Sequence, residues 1–133
     1  MTNVALVLPI QSSEDIVIAR QKVRELAIKA GFNVVNQTKF ITAASELARN
    51  TLDYGGGGYL TFEELINGNK KGLKLVFEDQ GPGIDNIQLA MTDGYTTGKG
   101  LGLGLTGAKR LVNEFDLWTE VGKGTRISII QWT

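Results

Sequence analysis

The chain has 133 residues, 14 basic and 14 acidic side chains, and no cysteine or histidine. Zero formal charge gives no electrostatic pull towards nucleic acid or an anionic membrane, so neither is expected as a partner. The missing cysteines and histidines exclude disulfides, thiolate or imidazole metal sites, Ser-His triads and histidine phosphoacceptors, leaving Asp, Glu, Lys or Tyr as any general base.

The length suits one domain spanning 1–133, able to bury roughly two thirds of its unfolded surface. No apolar run approaches the roughly twenty residues that cross a bilayer, and no cleavable signal pattern opens the chain, so a cytoplasmic location is expected. Seventeen glycines stand against two prolines, clustered at 55–58 and 94–107, a distribution that suits ligand loops.

Val4 to Leu8 reads as a short edge strand ended by Pro9. Ser12 and Ser13 are candidate caps for a helix over 13–30, whose apolar residues Ile16, Ala19, Val23, Leu26, Ala27 and Ala30 recur at helical spacing until Gly31 stops it. A second helix opens at Asn36, with Phe40, Ala44, Leu47, Ala48 and Thr51 as its apolar stripe. Glu46, Asn50 and Asp53 fall on a separate polar stripe, being four and three positions apart. A solvated face is the common meaning of such a stripe. Its functional meaning is a carboxylate base, Glu46, one turn from an amide, Asn50, that coordinates Mg²⁺ together with phosphates and waters.

Gly55 to Gly58 turns the chain into an alternating strand from Tyr59 to Leu65. A hairpin loop over 67–72 leads to a strand over 73–78. That strand runs into Asp79-x-Gly81-x-Gly83, where Asp79 can accept a hydrogen bond from an adenine amino group. A short helix over 86–91 follows, and the polar, glycine-rich Asp93 to Lys99 suits a lid. Gly100, Gly102 and Gly104 lead into a helical period of Leu105, Ala108, Leu111, Val112 and Phe115. Backbone N–H groups near Gly102 and Gly104 then face phosphate at a helix N-terminus. Leu117 to Val121 and Thr125 to Trp132 close the chain as a hairpin around Gly122-Lys-Gly124.

Two literal motif matches fail their context. Gly102, Gly104 and Gly107 spell G-x-G-x-x-G, but no strand precedes them. The stretch from Gly94 to Lys99 is one residue short of a phosphate-binding P-loop and lacks the following Ser or Thr.

Taken in order, Glu46-x-x-x-Asn50, Asp79-x-Gly81-x-Gly83, Gly100-x-Gly102-x-Gly104 and Gly124-Thr125 resemble the ATP-binding fold of gyrase, Hsp90, histidine kinases and MutL (the GHKL or Bergerat fold). The resemblance spans roughly residues 36–130. It implies an α+β, two-layer α/β sandwich, with a mixed, mostly antiparallel sheet covered on one face by helices. Within that superfamily, Ser45-Glu-Leu-Ala-Arg-Asn50, Lys71-Gly-Leu-Lys-Leu75, Glu78-Asp-Gln-Gly-Pro-Gly-Ile84 and Lys109-Arg-Leu-Val-Asn-Glu-Phe115 resemble the anti-sigma-factor serine/threonine kinases, most of all the switch kinases of the stressosome.

That resemblance implies ATP and Mg²⁺ as cofactors, with Asp79 on the adenine amino group and Thr125 assisting through water. It implies Asn50 on Mg²⁺ and Glu46 as catalytic base. Gly81, Gly83, Ile84, Thr97, Gly100, Leu101, Gly102, Leu103, Gly104 and Leu105 would shape the nucleotide pocket. Where some anti-sigma relatives place an arginine near the γ-phosphate, only Lys99 is close in this sequence, and a lysine there would act as a point charge without the bidentate fork of arginine. Implied substrates are STAS-domain antagonist or scaffold proteins, and an implied later partner is a PP2C-type phosphatase. The alternatives are an anti-sigma factor that sequesters a sigma subunit, or a nucleotide-gated binding module with little catalysis.

Overall fold

The computed structural model describes residues 6–84 and 103–133. Chain order is β1 (Leu6–Ile10), α1 (Ser13–Ala30), α2 (Val34–Asp53), β2 (Gly58–Asn67), β3 (Lys70–Asp79), α3 (Leu103–Leu111), β4 (Glu114–Glu120) and β5 (Gly124–Trp132). The strands form one sheet in the order β1-β2-β3-β5-β4. Every described pairing is antiparallel, where the sequence reading left room for a mixed sheet.

Alternation sets the two faces, because successive side chains on a strand point to opposite sides. Leu73, Leu75, Phe77 and then Asp79 share the inner face of β3, opposite Gln131, Ile129, Ile127 and Thr125 of β5. Leu60 and Phe62 continue that face on β2, and all of these side chains are buried. Helices α1 and α2 lie over it, and α3 packs on α2. The core joins this layer to Val23, Phe40, Leu47 and Leu105, with Phe32 meeting Phe40 edge to face at 5.8 Å between centroids. The opposite face carries exposed Val7, Tyr59 and Trp118. There Arg126 reaches Glu78 at 3.2 Å and lies 5.5 Å over the Trp118 ring.

Helix α1 matches its expected span. The Ser12 hydroxyl accepts the Asp15 N–H at 3.3 Å, and the helix ends at Gly31 in the left-handed region. Four boundaries differ from expectation. Strand β1 runs through Pro9 to Ile10, a position tolerated on an edge strand. Helix α2 starts at Val34, two residues before the expected Asn36, because Asn33 caps it, its Oδ1 accepting the Asn36 N–H at 2.8 Å. The β2–β3 loop is only Gly68-Asn69, so both strands extend into the expected 67–72 loop. Helix α3 stops at Leu111, and Phe115 belongs to β4, which starts at Glu114. The expected helix over 86–91 and the expected lid from Asp93 to Lys99 lie outside the described residues.

Candidate functional site

Asp79 closes β3 on the inner, helix-covered face, the one acid in an otherwise apolar row. It faces Gly58 of β2 on one side and Thr125 of β5 on the other. Its side chain is buried, and its Oδ1 accepts the Gly81 N–H at 2.9 Å. Burial pushes its carboxyl above the ordinary 3.8, and hydrogen bonds from the Gly81 and Thr125 backbone N–H groups oppose that rise. Among the described residues no cation pairs with it. A buried carboxylate stabilised only by backbone dipoles retains acceptor capacity for a donor from outside the chain.

The turn after Asp79 is fastened from two directions. Gly83 takes φ +78°, and a Cβ there would collide with the Glu120 carbonyl. Its own carbonyl accepts the Tyr54 hydroxyl at 2.7 Å, while the Ile84 N–H donates to Thr119 Oγ1 at 2.9 Å. Tyr54 is the C-cap of α2, and its N–H and that of Gly55 both donate to the Asn50 carbonyl, at 3.0 and 3.2 Å. Gly55 then packs against the Asp79 carboxyl and Gly81, so closely that a Cβ at 55 would strike the carboxyl. The last turn of α2 is thereby held against the Asp79–Gly83 turn.

On that helix Asn50 is half-buried, and Glu46, one turn earlier, is exposed. Arg49 and Asp53 make an exposed pair at 3.8 Å on the outer side. An amide one turn from a carboxylate suits a magnesium ion that takes its other ligands from phosphate and water. Leu105 and Ala108 of α3 are buried, and Gly104 lies in the first turn of that helix.

The structure therefore gathers Asp79, Gly81, Gly83, Ile84 and Thr125 at one end of the sheet, with the Asn50 end of α2 fastened to them. Thr97, Lys99, Gly100, Leu101 and Gly102 lie outside the described residues, and for Leu103 and Gly104 only the helical backbone is described. Tyr54 and Thr119 were not anticipated. The signal for Thr119 was present in the turn at 121–123, which sets Thr119 opposite Thr125. Tyr54 carried no comparable signal.

An open cavity of about 400 Å³ adjoins Asp79 on its β2 side, lined by Gln11, Gly55 to Gly58, Tyr59, Glu78, Asp79 and Gln80. A smaller one, about 130 Å³, lies at the opposite end of the sheet between Lys29, Ala30, Glu64 to Ile66, Lys71 and Gly72, away from this chemistry.

Residues 35–132 match the family described as Histidine kinase-, DNA gyrase B-, and HSP90-like ATPase. The chain is 49% identical over 123 residues to Serine/threonine-protein kinase RsbT of Bacillus subtilis, covering 92% of both proteins. It is 35% identical over 92 residues to an Anti-sigma F factor of Clostridium kluyveri, covering 65% of this chain and 63% of that one. Among solved structures, the RsbU and RsbW domains of a Mycobacterium tuberculosis protein share the fold with a TM-score of 0.64 at 17% identity, over 98% of this chain and 32% of that one. The histidine kinase domain of a blue-light activated kinase from Erythrobacter litoralis gives a TM-score of 0.54 at 17% identity, over 92% of this chain and 60% of that one. The buried acid, its two glycines and the threonine across the sheet thus sit in a chain that belongs to the histidine kinase-, DNA gyrase B- and HSP90-like ATPase family.

Proposed function

We propose that this protein is an ATP-dependent serine/threonine kinase of the partner-switching type, acting on hydroxyls of small STAS-domain proteins. The observation that carries the reading is the 49% identity, over 92% of both chains, to a protein named as a serine/threonine kinase. The chemistry at the sheet end supports it, since Asp79 offers a buried acceptor for an adenine amino group. Thr125 stands beside it on the facing strand.

Asn50 would hold Mg²⁺ through its amide oxygen, and the ion would neutralise charge on the phosphates. Glu46, exposed on α2 and one turn from Asn50, takes the proton of the incoming serine or threonine hydroxyl. As that oxygen bonds to the γ-phosphorus, the bond from phosphorus to the bridging oxygen breaks and ADP departs. Phosphoryl transfer asks little more of a protein than positioning, charge neutralisation and such a base.

A cytoplasmic setting fits this role, and among the described residues no helix is long and apolar enough to cross a membrane. Release from the phosphorylated partner and activation of a PP2C-type phosphatase would complete a switch. A second reading, sequestration of a sigma subunit, draws on the likeness to anti-sigma F factors.

Transfer of label from γ-labelled ATP to a purified STAS-domain protein tests the kinase reading. Glu46→Gln keeps the shape and removes the basicity. Transfer is expected to fall about 10²–10⁴-fold while nucleotide affinity survives. Asn50→Ala is expected to weaken Mg²⁺-dependent binding and transfer together. A wild-type protein that labels no partner defeats the reading, and a Glu46→Gln variant at the wild-type rate removes Glu46 from the chemistry.

A further inference from the structure

Thr119 lies near the end of β4, directly across from Thr125. Its hydroxyl has three neighbours at hydrogen-bond distance. These are the Ile84 N–H at 2.9 Å, the Gly124 carbonyl at 3.0 Å and the Thr125 hydroxyl at 3.0 Å. A hydroxyl carries one proton and two acceptor lone pairs. The Ile84 N–H can only donate and the Gly124 carbonyl can only accept. Thr119 therefore gives its proton to Gly124 and accepts from Ile84, which leaves one lone pair for Thr125. In that contact Thr125 is the donor.

The consequence falls on the other side of Thr125. With its proton turned towards Thr119, its oxygen has acceptor capacity alone to offer the Asp79 side. Thr125 and Asp79 are direct partners across β3 and β5, both buried, on the same inner face. Side chains so paired stand roughly 5 Å apart at Cβ, close enough to meet one ligand edge.

We propose that Thr119 is a positioning residue that locks Thr125 as an acceptor, so that Thr125 and Asp79 together select a base bearing an amino group and reject one bearing an oxo group. This rests on the adenine seat at Asp79 proposed above. Selection operates either by direct contact or through one water that gives both protons to Thr125 and Asp79 and so can only accept from the base. A site matched to one hydrogen-bonding pattern discriminates against the reverse pattern, because the mismatched analogue leaves buried polar groups unpaired.

Inosine triphosphate is the probe, since it replaces the adenine amino group by oxygen. Because it also puts a proton on N1, purine riboside triphosphate, which lacks the amino group and keeps N1 bare, is the control for that second change. Calorimetry with Mg²⁺ gives the affinities of ATP and inosine triphosphate for wild type, Thr119→Val and Thr119→Ser. Wild type is expected to prefer ATP. In Thr119→Val the Thr125 hydroxyl is released to turn and donate to the oxo group, so the preference narrows by about tenfold. Thr119→Ser keeps the hydroxyl and is expected to keep the preference. Equal weakening of both nucleotides in Thr119→Val overturns the proposal, because it shows a residue that only supports the Ile84 turn. An absence of preference in the wild type overturns it too.

Should Thr119→Val not fold, Thr125→Val gives the sign by itself. Loss of an acceptor weakens ATP more than inosine triphosphate, whereas a widened preference would make Thr125 a donor to the base and overturn the proposal. Asp79→Asn separates the two levels. Unchanged ATP affinity in that variant sinks the seat, while lost affinity with an unaltered Thr119→Val ratio sinks only the role of Thr119.

Discussion

Strands β3 and β5 bury a polar side chain at each end of their shared inner face. At one end Gln131, opposite Leu73, accepts the Asn113 N–H at 3.0 Å, and Asn113 accepts the Trp132 N–H at 2.8 Å. At the other end Asp79, opposite Thr125, takes backbone N–H groups from Gly81 and Thr125 and has no cation among the described residues. Gln131 is neutral and fastens the α3–β4 connection to the last strand. Burial works against the charged form of Asp79, and among the described residues only backbone N–H groups oppose that, beside glycines that leave its carboxyl room. A neutral group in a local set of bonds is a fastening. A buried carboxylate with spare acceptor capacity suits a ligand.

The comparison breaks most sharply at Gly55. Gly55→Ala drives a methyl into the Asp79 carboxyl, and overpacking of this kind is expected to reduce stability by about 1–3 kcal/mol and to weaken ATP binding with it. Thermal unfolding alongside nucleotide titration would read both. At the far end Gln131→Leu is expected to remove about 1–3 kcal/mol by orphaning the Asn113 N–H, with ATP affinity unchanged in the folded protein. A large loss of ATP affinity there would mean that the two ends are not separable.

Tyr54→Phe removes only the hydroxyl that holds Gly83. About 0.5–1.5 kcal/mol of stability is expected to go, and ATP affinity to weaken modestly, because the Asp79 turn loses one of its fastenings. The subtlest effect is on pH. The folded-state pKa of Asp79 is raised, so between the unfolded value near 3.8 and the raised folded value the native state binds more protons than the unfolded chain. This carboxyl therefore lowers native stability as pH climbs through that window. Unfolding at several pH values should show the ligand-free wild type losing stability relative to Asp79→Asn as pH rises, and no such trend at Gln131.

Much of this contrast could be read in the sequence. The row Leu73, Leu75, Phe77, Asp79 shows an acid inheriting an inner-face position, and the glycines after it mark a turn. The start of α2 is ambiguous because Asn33 and Asn36 both precede the apolar stripe. The exposed Val34 and Val35 between them gave no amphipathic cue. Phe115 misled because it fits both a helical period from Leu111 and the inward alternation of Phe115, Leu117 and Thr119. Tyr54 and Thr119 act across the fold, on Gly83 and Ile84, partners 29 and 35 residues away. Local periodicity carries no information about such partners, and only the strand register makes Thr119 visible.

Calorimetric titration of Mg²⁺-ATP into wild type and Asp79→Asn tests the assignment of the two ends most directly. The amide would turn a donor towards the adenine amino group. Affinity should therefore fall about ten- to a hundredfold, as for loss of a hydrogen bond to a charged group. Equal affinity in the two proteins would contradict the account and leave Asp79 as one more structural polar group beside Gln131.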